Sequence, residues 1–293
     1  MQLRTKAHIA LLAANILYGM SFSAIKLLTT QYMPALSLNL VRVAATVPLF
    51  WLLFALKPSK AGIDKKDIGR FVACAITGVV INQLLFVKGI SLTSSIHASI
   101  LSLVSPIFIT AAAGWLLKEA FTPTKGIGLT LGISGAALII LSRSTPSSPG
   151  ENILLGDLLV TINAISYSMY FVLVKPLMNK YAPIHVLRWV FSIGFLFILP
   201  FGLQDLSETN FSAFTPGAWF ALILVVFGMT FLGYLLNVFG LKHLGASVTG
   251  AYIYSQPIFA AVIGILLLGE KLSPQLMLAA LLIGIGVFFS SRK

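Results

Sequence analysis

Charge is what this sequence has least of. Only 10% of its 293 residues are Asp, Glu, Lys or Arg, against about 25% in a soluble domain. The acidic residues number eight, and none lies in the middle of a long apolar run. That shortage excludes a soluble enzyme and a disordered chain. Cysteine occurs once, as Cys74, so there is no intramolecular disulfide and no thiolate metal site. Cys74 falls in an apolar run and reads as a small packing residue. The four histidines, His8, His97, His185 and His243, stand near segment ends in different runs. They offer no nucleophile–base pair and no ligand cluster, which speaks against an intramembrane enzyme. The pattern calls for no metal and no cofactor.

What is abundant is apolar: 58% of the chain. A spanning helix needs roughly 20 such residues. Apolar runs between polar breaks predict ten spans, near 8–28, 36–56, 69–88, 95–117, 125–142, 156–176, 184–203, 217–239, 246–268 and 275–291. The first run is longer than the ~7–15-residue core of a signal peptide and reads as a retained span. The breaks carry turn chemistry, as in Ser144-Thr-Pro-Ser-Ser-Pro-Gly150. The expectation is an all-α integral membrane protein whose neighbours are a lipid bilayer and a small-molecule substrate, with a monomer plausible. The net charge of +12 does not point to nucleic acid, because the basic residues sit at segment ends rather than in one patch. Fourteen of them fall on one set of alternate loops and four on the other, with Arg42 and Arg188 just inside spans two and seven. By the positive-inside rule both termini are cytoplasmic.

The two halves repeat. A shift of 151 pairs Gly89 with Gly240, Pro106 with Pro257, Glu119 with Glu270 and Gly135 with Gly286. Nearer the start of each half a shift of 149 pairs Tyr18 with Tyr167, Phe22 with Phe171, Lys26 with Lys175 and Pro34 with Pro183. A small deletion then sets Arg42 opposite Arg188. Residues 1–146 and 147–293 therefore form two units of five spans. Five is odd, so the second copy enters the membrane from the other side and the repeats are inverted. That architecture belongs to secondary transporters, whose substrate site lies near mid-membrane between the repeats. A channel would not require the repeat-paired glycines and prolines.

The block Pro257-Ile-Phe-Ala-Ala-Val-Ile-Gly-Ile-Leu-Leu-Leu-Gly-Glu270, its partner Pro106-Ile-Phe to Lys118-Glu119 and the preceding Tyr252-Ile-Tyr-Ser-Gln256 resemble the EamA repeat of the drug/metabolite transporter superfamily. The resemblance covers nearly the whole chain as two tandem copies. It implies ten helices, cytoplasmic termini and export of small metabolites or drugs across a bacterial inner membrane. It also implies a central cavity lined by spans 1, 3, 4, 6, 8 and 9. Small multidrug-resistance relatives carry an essential glutamate in their first span, where this chain reads Ala13-Ala-Asn-Ile-Leu-Tyr-Gly-Met20. A central carboxylate antiport is therefore unsupported.

Helical spacing picks the candidate lining. Asn15, Tyr18 and Phe22 share a face of span 1, as do Asn163, Tyr167 and Tyr170 in span 6. Span 8 offers Thr230, Tyr234 and Asn237, span 9 Thr249, Tyr252 and Gln256. The repeat adds Gln83 and Phe86 in span 3, and span 4 is serine-rich, Ser102 included. The competing reading is that these groups hydrogen-bond helix to helix or allow close approach. His97 is a helix-end residue or a proton relay. Glu119 and Glu270 are followed by Thr122-Pro123 and Ser273-Pro274, so each carboxylate can accept from the next helix's N-terminus; the alternative is a gate. Lys26 and Lys175 are snorkelling anchors or gates, and Arg42 and Arg188 are expected to snorkel or to pair with backbone carbonyls, with contact to a substrate carboxylate as the alternative. Asp157 reads as a first-turn acid. A lining of Asn, Tyr, Ser and Gln suits neutral or zwitterionic solutes, amino acids first and drug-like amphiphiles second. Phosphate esters would call for central Lys or Arg.

Overall fold

A polypeptide inside a bilayer must satisfy its own backbone, so the apolar runs become helices. The structure, a computed structural model, describes residues 3–56, 62–117, 122–141 and 152–291. Over them the chain forms ten spans in two sets of five and no strand. The first set is α1 (Leu3–Gln31), α2 (Ala35–Leu56), α3 (Lys65–Leu92), α4 (Ser95–Ser102 continuing as Ser105–Leu117) and α5 (Pro123–Leu141). The second is α6 (Ile153–Lys180), α7 (Pro183–Ser207), α8 (Pro216–Leu244), α9 (Ala246–Tyr252 continuing as Gln256–Leu268) and α10 (Pro274–Ser291). Several helices outrun the apolar stretches that predict them. α1 starts at Leu3 and α6 runs on to Lys180, because polar interfacial residues keep the helical ladder going.

The ends carry the expected stops. Thr215 Oγ1 accepts from Ala218 N at the start of α8, and Ser273 Oγ accepts from Leu276 N at the start of α10. Gly269 closes α9 with φ of +66°, a left-handed turn that glycine adopts without strain.

The internal repeat is visible in the packing. The Val160 side chain of α6 lies on bare Gly89 of α3, and the Leu11 side chain of α1 lies on bare Gly240 of α8. The two contacts exchange under the same shifts that align the halves in sequence. α2 packs on α7, and α5 on α10. The second of these interfaces is made by glycines. Gly135 faces the Ala279 carbonyl and Ile283, while Gly286 faces the Gly128 carbonyl and Gly132. Small residues let two membrane helices approach closely and gain dispersion contacts along their length.

Two departures from the ideal helix recur in both halves. α3 widens into a π-helical stretch at Ile76–Val80, and α8 does so at Leu224–Gly233. α4 breaks at Leu103 and Val104, just before Pro106. α9 tightens into a 3-10 turn at Ile253–Ser255, just before Pro257. Proline lacks the N–H that would continue the ladder, so these breaks stand where the sequence puts them.

A methyl added at Gly286 would lie 2.7 Å from the Gly128 carbonyl oxygen, whereas one at Gly284 meets nothing within 4 Å. Gly286→Ala is therefore expected to cost about 1–3 kcal/mol through forced separation of α5 and α10. Gly284→Ala is expected to stay within about 0.5 kcal/mol of the parent. Equilibrium unfolding in mixed micelles measures both, and equal costs would contradict the glycine seam.

Candidate binding cavity between the repeats

A partly open cavity lies between the two repeats. Six spans line it with two residues each: Tyr18 and Phe22 (α1), Asn82 and Phe86 (α3), Ser102 and Ser105 (α4), Asn163 and Tyr167 (α6), Met229 and Tyr234 (α8), Ile253 and Gln256 (α9). Three spans come from each half, and they are the six that the resemblance implies. The helix irregularities surround the cavity. Ser102 and Ser105 flank the break in α4, Ile253 and Gln256 bracket the 3-10 turn of α9, and Met229 lies in the π-stretch of α8.

Each irregularity frees backbone carbonyls, and side chains take them. Asn163 Nδ2 donates to the Asn82 carbonyl at 2.6 Å. Ser166 Oγ donates to the Thr77 carbonyl at 2.7 Å, and Tyr234 Oη to the Gly78 carbonyl at 3.3 Å. Ser168 Oγ donates to the Ser105 carbonyl at 3.0 Å, tying α6 to α4 beside the proline break. On the opposite wall Gln256 Nε2 donates to Asn15 Oδ1 at 2.6 Å, and Asn15 Nδ2 to the Leu11 carbonyl at 2.8 Å. Phe22 and Phe86 meet edge to face with centroids 5.3 Å apart. The lining is thus an aromatic surface carrying oriented amides and hydroxyls.

Of the residues expected to line the cavity, Tyr18, Phe22, Phe86, Ser102, Asn163, Tyr167, Tyr234 and Gln256 do so. Asn15 stands behind Gln256. Gln83, Tyr170, Asn237 and Tyr252 are not among the lining residues. Gln83 is one residue, about 100° of helix, beyond Asn82, and the repeat that sets it opposite Tyr234 is offset there, where α3 and α8 carry π-stretches of five and ten residues. Tyr170 packs its ring on bare Gly78, and Asn237 is buried in α8. Tyr252 bonds His8 Nδ1 through its hydroxyl at 2.8 Å, tying α9 to α1 near the end that carries the chain termini. Asn82, Ser105, Met229 and Ile253 were missed. Met229 and Ile253 look like any apolar core residue, and only the proline motif could have pointed to Ser105.

The charged residues depart most from expectation. Arg42 does not snorkel. It is fully buried, donating from Nε to Thr230 Oγ1 at 3.1 Å and from an Nη to Met229 Sδ at 3.6 Å. A central arginine therefore stands beside the cavity wall after all. Its pseudo-equivalent Arg188 is also buried, with its guanidinium 3.3 Å above the Phe54 ring and an Nη 2.9 Å from His185 Nδ1. Lys26 turns inward, its Nζ donating to the Ser91 carbonyl at 3.3 Å. Lys175 is exposed on α6.

Glu270 does not serve the next helix. Its carboxylate accepts from Ser95 N and Ser95 Oγ at 2.8 Å and from Ile96 N at 3.0 Å, capping the N-terminus of α4 from the far half of the chain. It thereby joins α9 to α4 at the end of the bundle opposite the chain termini. Glu119 lies outside the described residues. Asp157 is not a free first-turn acid. It is buried, accepting from Thr93 Oγ1 at 2.6 Å, with His97 Nδ1 3.1 Å from its other oxygen. Among the described residues no group of three His, Cys, Asp or Glu side chains could hold a metal ion.

The EamA-like transporter family matches the chain twice, over residues 5–141 and again over 154–292. The uncharacterized transporter YetK of Bacillus subtilis is 26% identical over 90% of this chain and 80% of its own length. An uncharacterized transporter of Archaeoglobus fulgidus is 25% identical over 99% of both chains. A solved crystal structure shares the fold with a TM-score of 0.66 at 15% identity, over 97% of this chain and 96% of that one.

The Asn15–Gln256 bond gives a stability test of the wall. Gln256→Leu leaves Asn15 Oδ1 without its donor, which is expected to cost about 1–3 kcal/mol. Adding Asn15→Leu is expected to cost about 0.5 kcal/mol or more below the sum of the single changes. A double-mutant cycle by unfolding in mixed micelles measures the coupling, and strict additivity would contradict the bond.

Proposed function

Because the chain belongs to the EamA-like transporter family, we propose that it is an inner-membrane exporter of small metabolites, with amino acids as the leading substrates. It works by alternating access, the two repeats rocking about the cavity. The observation that carries this reading is the lining itself: three spans from each inverted repeat, each giving two side chains, with α4 and α9 broken and α3 and α8 widened. Discontinuous helices at a repeat interface are the usual construction of a transporter's substrate site. The mixture of rings, amides and hydroxyls suits a solute that has both apolar surface and hydrogen-bonding groups.

With both termini cytoplasmic, as the basic loops favour, the Glu270 contact to α4 closes the periplasmic end. Among the described residues no Asp or Glu lines the cavity, which favours facilitated movement down a gradient over proton antiport. One observation supports the second reading. His97 Nδ1 and an oxygen of buried Asp157 meet at 3.1 Å, and on that contact a drug-like amphiphile exchanged for protons becomes the alternative.

Counterflow in proteoliposomes loaded with a mixed amino-acid pool, read by mass spectrometry with and without a pH gradient, tests the reading. The expected outcome is saturable exchange of particular amino acids, unchanged by the gradient. Exchange that follows the gradient would replace facilitation by proton coupling. Exchange of no amino acid would overturn the substrate assignment in favour of amphiphiles or other metabolites.

A further inference from the structure

Arg42 is an expensive residue for this fold to keep. It stands about 10 Å along α2 at ~1.5 Å per residue, and none of its surface is exposed. A cation at such depth is retained only where it finds partners or serves a function. Its partners here are neutral. Nε reaches the Thr230 hydroxyl and Nη2 reaches the Met229 thioether, while Nη1 has no hydrogen-bond partner at all. Among the described residues no carboxylate stands within ion-pair distance of it.

From this we infer that Arg42 is the anchor for a carboxylate carried by the transported solute, and that Met229 is the side chain which that carboxylate displaces. The inference rests on the reading of the cavity as the substrate site and names the chemical group that the site selects. Met229 lines the cavity, and its sulfur accepts from Arg42 Nη2 at 3.6 Å. A thioether is a weak acceptor, and methionine is unbranched with several rotatable bonds. Turning it aside exposes Nη1 and Nη2 together. Those two N–H groups present the parallel fork that a carboxylate accepts in bidentate fashion. The Thr230 bond can persist meanwhile, because it uses only Nε and holds the guanidinium in place.

The neighbours fit the same ligand. Tyr18 and Tyr234 line the cavity and lie within electrostatic range of Arg42. The Tyr18 hydroxyl can donate to an outer lone pair of a bound carboxylate, while Tyr234 keeps its bond to the Gly78 carbonyl. The charge count is specific as well. One arginine neutralises a monocarboxylate, whereas a phosphate dianion would keep one buried charge uncompensated. A cationic amphiphile without an acid group would be repelled. A purely structural arginine tying α2 to α8 would need only the Thr230 bond, and would leave Nη1 no reason to be kept.

Binding to the purified protein in detergent, by calorimetric titration, tests the anchor with matched probes. Leucine and phenylalanine are compared with their amides, and with 4-methylpentanoate and 3-phenylpropanoate, which keep the acid and lack the amine. The acids are expected to bind about 10- to 100-fold more tightly than the amides, the range for a hydrogen bond to a charged group. Arg42→Gln is expected to abolish that preference. Met229→Leu keeps the side-chain volume, and so the fold, while removing the competing acceptor. It is expected to tighten binding of the acids severalfold and leave the amides unchanged.

A folded Arg42→Gln protein that still prefers acids overturns the anchor, as does a Met229→Leu protein that shifts acids and amides alike. If Arg42→Gln does not fold, the Met229→Leu comparison decides. Acids and amides bound equally by the parent would sink the anchor and leave the cavity reading standing. Binding of the amine-free acids but of no amino acid would leave the anchor standing and remove amino acids as substrates. No binding by any of the acids would overturn the anchor.

Discussion

The hydrogen-bonding demand of a backbone in lipid governs this molecule. Where a helix is regular that demand is met along its own ladder. Where proline or a π-stretch interrupts the ladder, carbonyls are released at a depth where water cannot serve them, and each costs several kcal/mol if left open. The chain answers with side chains from neighbouring spans, Ser166 and Tyr234 for the π-stretch of α3, and adds Asn163 to Asn82 and Ser168 to Ser105 beside the breaks. The polar groups around the cavity are therefore first of all the completion of broken helices. The lining can bind a solute because the same breaks that need these groups also hold the helices apart. Structure and site are two consequences of one constraint.

That constraint also explains what could be read in the chain alone. The number of spans, their order and the inverted repeat follow from apolar length and from paired residues such as Gly135 with Gly286 and Pro106 with Pro257. Those features are local or strictly periodic. The site was legible in part. Tyr18, Phe22, Asn163, Tyr167 and Gln256 stand on faces that ordinary helical spacing identifies. Gln83 in place of Asn82 is an error of one residue: the repeat sets Gln83 opposite Tyr234, but the π-stretches that precede them differ in length, five residues against ten. Glu270 was legible as a capping acid but not as the cap of α4, because that partner is 175 residues away in sequence. Arg42 was misread for a related reason. An arginine near a span's end ordinarily snorkels, and only packing against α8 shows that this one does not.

The two halves share a scaffold and divide the work. Equivalent glycines make equivalent contacts, so the frame keeps its pseudo-two-fold character. The charged pairs have diverged. Arg42 reaches toward the cavity wall, while Arg188 stacks over Phe54 and Trp51. Lys26 turns into the bundle, while Lys175 is exposed on α6. Under the proposed alternating access, a symmetrical frame would offer two alternative closures and asymmetric side chains would decide which one a bound solute favours.

The account's central claim is that the two ends of the bundle open in turn about one cavity. Paired spin labels on a protein whose buried Cys74 is replaced by Ala measure this directly. One pair is placed at Lys88 and Lys271, beside the Glu270 closure. The other is placed at Thr124 and Lys242, at the terminus-bearing end. Double electron–electron resonance would read both distances with and without substrate. Reciprocal change, one distance lengthening as the other shortens, is the predicted result. Two distances that stay fixed, or that lengthen together, would contradict alternating access and leave the cavity a static feature of the fold.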